Sequence, residues 1–471
     1  MNRFSESMMR AWVGLGARYL PFADAATAEV PLSRLLRLSL FQVSAGMTLV
    51  LLVGTLNRVM IVELGVPASL VAVMLAMPLV FAPLRALIGF KSDVHRSELG
   101  WKRVPFIYRG TMVQFGGLAI MPFALLVLAH QGESASVPAW VGQAAAGLAF
   151  LLVGAGLHIT QTVGLALATD LTPPERQPNV VGLMYVALLF GSIVSALIFG
   201  ALLADFSPGR LVQVIQGSAV AILVLNGIAV WKQEARGAAR PLQGAQRDPT
   251  FKESWACFIA GDKARQRLAA VGLGTLAFSM QDVMLEPYGG QVLGLAVSRT
   301  TVLTAAMAGG GLIGFSLASY VLSRGFDPFR MAAIGAWVGV PAFVMIIASG
   351  FGGMPVLFAL GTLLIGFGAG LFSHGTLTAT MIHAPDDQRG LALGAWGAVQ
   401  ATAAGIGVAL GGIIRDTVAA LMPSGALIPY VAVYTLEVIL LLAAIVAMMR
   451  IVRSPVNLRG SLRTGTKVHV D

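Results

Sequence analysis

Apolar residues run along the chain in twelve stretches, each near the roughly 20-residue length that carries a helix across a bilayer. In the first half they fall at 36–61, 70–90, 106–128, 140–169, 180–203 and 211–231. In the second half they fall at 268–292, 300–322, 331–349, 356–381, 391–414 and 428–449. The longest polar break, 232–267, separates six stretches from six. This pattern predicts an all-α integral membrane protein with two six-helix halves, at 35–231 and 268–452. Segment 1–34, linker 232–267 and tail 453–471 lie outside them.

Similarity between the halves reinforces the division. Pro174, Glu175, Gln177, Gly200 and Asp205 are matched at a constant offset by Pro385, Asp386, Gln388, Gly411 and Asp416. Asn57, Leu64 and Gly65 are likewise matched by Glu286, Leu293 and Gly294, and "GAGLH" at 154–158 by "GAGLF" at 368–372. Two pseudo-symmetric parallel repeats of six spans resemble the major facilitator superfamily, whose first and seventh spans face each other across a central cavity. The 55 glycines suit close packing of membrane helices.

Composition agrees: 56% of residues are hydrophobic and 11% charged, where soluble domains carry about a quarter charged. The net charge of +10 would fit nucleic acid if it formed one patch, but its placement points elsewhere. Lys91, Arg96, Arg109, the linker cations, Arg324, Arg330, Arg389 and the tail share one side, while the opposite loops hold Arg210, Arg299 and Arg415. The positive-inside rule then assigns linker and both termini to the cytoplasm, and no nucleic-acid partner is expected. The basic linker is an expected contact for anionic membrane lipid. The single cysteine, Cys257, excludes an internal disulfide. Some 34 mixed residues precede the first apolar run, which is not the pattern of a cleavable signal peptide. Residues 8–22 mix arginine with bulky apolar side chains, as an interfacial helix or a flexible tail would.

The loop "GFKSDVHRSELGWKR" at 89–103 carries Gly89, Asp93, Gly100, Lys102 and Arg103. With a small insertion, it resembles the superfamily's Gly-x-x-x-Asp cytoplasmic loop signature, in which the aspartate latches the two halves. A turn with basic flanks is the plainer alternative. The segments "SMQDVMLEPYGGQVLG" (279–294), "GTLNRVMIVELGVPASLVA" (54–72) and "QRGLALGAWGAVQATAAG" (388–405) make the likeness narrower. They resemble the bacteriochlorophyll delivery branch of the superfamily, the PucC and LhaA proteins of purple phototrophic bacteria, over nearly the whole chain. Segment 10–42 leans toward the LhaA side, which serves the core antenna LH1. The resemblance implies an assembly factor of the intracytoplasmic photosynthetic membrane. Its expected cargo is bacteriochlorophyll, its expected partners the LH1 α and β polypeptides, with a pigment-synthesis enzyme as a further partner.

Candidate chemistry lies in the spans. Asp282 and Glu286 are four residues apart, on one helix face, inside "FSMQDVMLEPYGG". A carboxylate at membrane depth costs on the order of 2 to 3 kcal/mol even on lenient scales, so both are expected to face the cavity between the halves. Asn57 occupies the pseudo-symmetric position of Glu286, and the adjacent Arg58 is the expected ion-pair partner of Glu286. Pro287, Gly289 and Gly290 predict a broken helix there, with carbonyls freed toward the cavity. Three roles remain open for the two acids: polar groups satisfied by cavity water, proton-coupling groups of a small-molecule transporter, or a structural gate. The magnesium of bacteriochlorophyll accepts an axial imidazole or oxygen. His158 and His374 are therefore candidate ligands, with Gln161 and Gln281 as weaker oxygen donors, although intramembrane histidines also serve in packing. Trp140, Trp337 and Trp396 are candidate ring-packing residues. No protein-bound metal is expected apart from the pigment's magnesium. Absence of GxxxxGK[ST] and HExxH motifs argues against an enzyme or an ATP-driven pump.

Overall fold

The computed structural model describes residues 30–80, 88, 92, 101–129, 136–173, 177–234, 264–322, 324–383, 389–422 and 425–453. Each apolar stretch becomes a helix. In the first half these are α1 (Leu32–Glu63), α2 (Ala68–Val80), α3 (Val104–Leu128), α4 (Ala139–Asp170), α5 (Gln177–Leu202) and α6 (Pro208–Val230). In the second they are α7 (Ala264–Gln291), α8 (Val297–Leu322), α9 (Pro328–Gly352), α10 (Pro355–His383), α11 (Arg389–Leu421) and α12 (Leu427–Arg453). Eleven are long and apolar enough to cross a membrane, and α2 is a shorter apolar helix. The result is a twelve-helix bundle of the major facilitator type. Large apolar side chains such as Phe123, Phe190, Trp337 and Val356 face outward, where lipid tails would solvate them.

Among the described residues, two membrane helices depart from α-geometry, and both stand where the halves meet. α1 winds as a π-helix over Val50–Leu56 and Val59–Glu63, and α7 tightens to a 3₁₀ turn over Met280–Val283 before resuming at Leu285–Gln291. The break in α7 thus lies about one turn before Pro287. Proline has no N–H for the carbonyl four residues back, and its ring crowds that carbonyl, which here belongs to Val283.

The repeat is visible atom by atom at the ends of these two helices. Gly65 and Gly294 both take a left-handed backbone with φ of 64°, a conformation open to glycine at little cost. The Val66 N–H then bonds to the Met60 carbonyl at 2.8 Å, and the Leu295 N–H to the Gly289 carbonyl at 2.9 Å, the same turn in both halves. Between α4 and α10 the register differs from the one the "GAGL" strings suggest. Gly156 packs against the Gly110 carbonyl of α3, as Gly368 does against the Gly335 carbonyl of α9. Gly156 is therefore the counterpart of Gly368, because backbone approach at the helix crossing, rather than string similarity, sets the register.

The halves are joined by α2 against α11 and by α5 against α8. At the first seam Gly412 lies on the Ala68 carbonyl, and at the second Gly200 lies on Ser298 and Val302. Small residues allow this approach where lipid provides no hydrophobic drive between helices. On the linker side, the Glu234 carboxylate caps α3, accepting from the backbone N–H of Lys102 at 2.7 Å and from those of Arg103 and Val104. Arg103 donates through Nε to Asp170 at 2.9 Å and through Nη1 to Ser92. Of the expected loop signature, Lys102 and Arg103 are thus placed, whereas Gly89, Asp93 and Gly100 lie outside the described residues. So do Cys257 and residues 8–22.

Candidate functional site

Pro287 leaves the Val283 carbonyl without its helical donor, and the first half supplies one. Asn57 on α1 is fully buried and donates Nδ2–H to the Val283 oxygen at 3.1 Å. About one turn before Asn57 on the same helix, Gly54 makes room for the Glu286 carboxyl: a Cβ at residue 54 would stand 2.6 Å from Glu286 Oε1. The Thr304 hydroxyl of α8 donates to that same oxygen, and Glu286 Oε2 has no hydrogen-bond partner. Thr55 of α1 meets Thr301 of α8 with hydroxyl oxygens 3.5 Å apart. Asn57 and Glu286, matched in the sequence repeat, therefore do face each other's half.

Arg58 does not make the expected ion pair with Glu286. Its Nη1 pairs with Glu63 at 2.5 Å, and its Nη2 donates across the seam to the Leu295 carbonyl at 2.9 Å. The cause is local: π-winding over Val59–Glu63 brings a residue five positions on to the same face, where α-winding would favour three or four. Arg58 also lies against Gly290, whose missing side chain gives the guanidinium its place; a Cβ there would stand 2.9 Å from Nη2.

Asp282 is half-buried and accepts from the Gln281 amide, which also reaches the Phe278 carbonyl at 3.3 Å. Opposite stands Glu437 of α12, fully buried, with neither carboxyl oxygen hydrogen-bonded. It is close enough to Asp282 for their charges to interact, and lies by the Gln281 backbone amide. Glu437 is absent from the residues expected above, yet its signal is plain in "YTLEVILLL", an acid inside an uninterrupted apolar run. Behind it, Tyr288 packs at 5.4 Å from the rings of Phe358, Tyr430 and Tyr434, tying the last turn of α7 into the second half.

A second polar junction closes the seam at the end away from the linker. Arg415 pairs with Asp416 at 2.7 Å and donates to Gln291 Oε1 at 2.7 Å, an oxygen that also accepts from Tyr430. Asp416 in turn accepts the Ser69 N–H at 2.7 Å, so an α11 carboxylate caps α2 of the other half. Replacing Asp416 with alanine should cost about 1 kcal/mol, as loss of a helix cap does. Faster amide exchange in the first turn of α2 would register the loss, and unchanged exchange there would refute it.

The histidines stand apart from this seam. His374 on α10 is half-buried, edge-on to Phe315 of α8 with centroids 4.2 Å apart, and its Nδ1 has no hydrogen-bond partner. His158 is half-buried on α4, where the nearby Gln161 donates to Gln42 of α1 at 3.4 Å. By the corrected register the two histidines are four positions apart in the repeat. Among the described residues, no group of three or more His, Cys, Asp or Glu side chains is arranged to hold a metal ion. A groove of about 380 Å³ lies between α2 and α4, lined by Val73, Met74, Met77, Trp140 and Leu148, with Gln143 as its polar member.

Residues 55–456 match the family described as "PUCC protein". The chain is 61% identical over 420 residues to "Protein PucC" of Rhodovulum sulfidophilum, covering 89% of this chain and 92% of that one. It is 56% identical to "Protein PucC" of Cereibacter sphaeroides over 98% of this chain and 100% of that one. Among solved structures, it resembles a bacterial homologue of the human lysosomal transporter Spinster, in an inward-facing, unoccupied conformation. The TM-score there is 0.66 at 14% identity, covering 90% of this chain and 98% of the other, a likeness of fold.

Proposed function

Because the chain belongs to the PucC family, we propose that it is a non-enzymatic membrane factor for assembly of the purple-bacterial light-harvesting antenna, bringing bacteriochlorophyll to newly inserted α and β polypeptides. The observation that carries the reading is the match along nearly the whole length of proteins named PucC. Its place is the photosynthetic intracytoplasmic membrane, with linker and termini on the cytoplasmic side. The core antenna LH1 is the cargo assembly to which segment 10–42 leans, and a pigment-synthesis enzyme is the proposed source of pigment.

The pigment is a large apolar macrocycle with a long tail and one magnesium that accepts an axial donor. The donors available in the spans fit that chemistry: the imidazole of His374, whose Nδ1 is unpartnered beside an aromatic ring, and the apolar groove with Trp140 and Gln143. Residues of the polar seam hold the two halves in register around whatever the bundle carries.

Purification of the full chain in mild detergent from a phototrophic host, followed by an absorption spectrum, tests the proposal. Co-purified bacteriochlorophyll is expected, at lower occupancy in His374→Leu. Deletion of the gene is expected to lower the core-antenna band, and the peripheral-antenna band is read in the same spectrum. Pigment-free protein that moves a solute across vesicles would replace this reading with proton-coupled transport through Asp282 and Glu286.

A further inference from the structure

At the linker face, where α1 begins and α6 ends, Ser33, Arg34, Arg37 and Lys232 line a cavity of about 410 Å³. Arg34 and Arg37 are three residues apart and share one face of α1. Arg34 is held in place: its Nε donates to Gln233 Oε1 at 3.1 Å, its Nη2 donates to the Gln233 carbonyl at 2.5 Å, and Gln233 Nε2 donates back to the Arg34 carbonyl at 3.2 Å. Gln233 itself is fully buried, so this clasp is part of the packed structure. Arg37 keeps its Nε buried with no hydrogen-bond partner. Lys232 adopts φ of 51°, the one non-glycine residue with positive φ among those described. A residue with a side chain rarely adopts such a backbone, and it marks places where surrounding structure imposes it.

Three cations converge here, and no acid lines the cavity among the described residues. The nearest acid in sequence, Glu234, is turned away to cap α3, and Asp170 is paired with Arg103. A cluster of like charges with its neighbouring carboxylates committed elsewhere is suited to an anion from outside the chain. The neighbours fix its depth. Trp231, immediately before Lys232, is 64% exposed, and Leu36 is exposed between the two arginines, so the cavity opens beside an aromatic side chain of the kind that marks the headgroup layer.

We infer that Ser33, Arg34, Arg37 and Lys232 form a phosphate-ester site on the first half of the bundle, and that its occupant is the headgroup of an anionic phospholipid of the cytoplasmic leaflet. Basic pockets between helices on this side of a membrane take such headgroups. The site is separate from the α1–α7 seam and does not depend on the pigment reading.

The test uses the full chain in mild detergent, with native mass spectrometry and thermal melting as readouts. Wild-type protein is expected to retain phosphatidylglycerol over phosphatidylcholine, and to melt higher with the former. Arg37→Gln and Lys232→Gln, both at exposed or half-exposed positions, are each expected to weaken retention roughly fivefold, the effect of about 1 kcal/mol per cation near an anionic surface. Arg324→Gln/Arg330→Gln removes two cations from the same face of the other half and is expected to leave retention unchanged. Equal retention of the two lipids, or equal loss in that control, overturns the site. Melting raised as much by inorganic phosphate or glycerol phosphate as by phosphatidylglycerol overturns the lipid as occupant.

Discussion

Arg58→Leu is expected to lower stability in mild detergent by about 3 kcal/mol, near the lower end of the range for removing one partner of a buried ion pair. Three groups lose their donor or counter-charge together. Glu63 loses its partner, the Leu295 carbonyl loses a donor from the other half, and Glu286 loses a nearby cation. Glu63 retains 36% of its side-chain exposure and is partly rehydrated, which keeps the cost from the top of the range. Arg58→Lys should recover less than half, because one ammonium cannot span Glu63 and Leu295 as the guanidinium fork does. Thermal melting of the three proteins reads this order. A leucine variant as stable as wild type would show that the guanidinium holds nothing together.

Glu437→Leu is expected to act in the opposite sense, raising stability by about 2 kcal/mol while lowering antenna yield. Neither carboxyl oxygen of Glu437 is hydrogen-bonded, the residue is fully buried, and Asp282 adds a second acid nearby. Burying a polar group without partners costs several kcal/mol, and a packed apolar side chain of similar volume removes that cost. Acids kept inside a membrane at such a cost mark function, so stability and function should separate at this position. Glu437→Gln, which keeps the shape, distinguishes loss of the acid from loss of packing. Melting that falls in the leucine variant would mean the carboxyl is satisfied and structural.

Much of this arrangement was legible in the chain. Twelve apolar stretches, the six-and-six division and the matched pairs Asn57/Glu286 and Gly65/Gly294 foretell the bundle and its pseudo-symmetry. Pro287 foretells a break in α7, because a missing N–H must leave a carbonyl open. What hydropathy does not encode is winding. The π-turns of α1 change which residue stands beside Arg58, and so its partner became Glu63 rather than Glu286. Register between α4 and α10 was likewise hidden, since glycine is common and only the backbone contact at Gly110 and Gly335 identifies the equivalent positions. Glu437 was readable throughout. Its closeness to Asp282 depends on how α12 packs against α7, which no single span reveals.

The polar faces of α1, α7 and α8 meet between the two six-helix halves. Thr55 and Thr301 touch across that seam, and Cys257→Ser provides a background without thiols. In that background, Thr55→Cys/Thr301→Cys should form a disulfide on mild oxidation in native membranes, seen as protection from maleimide labelling that reductant reverses. Two thiols that stay reduced and label freely would contradict the seam, and with it the inward placement of Asn57 and Glu286.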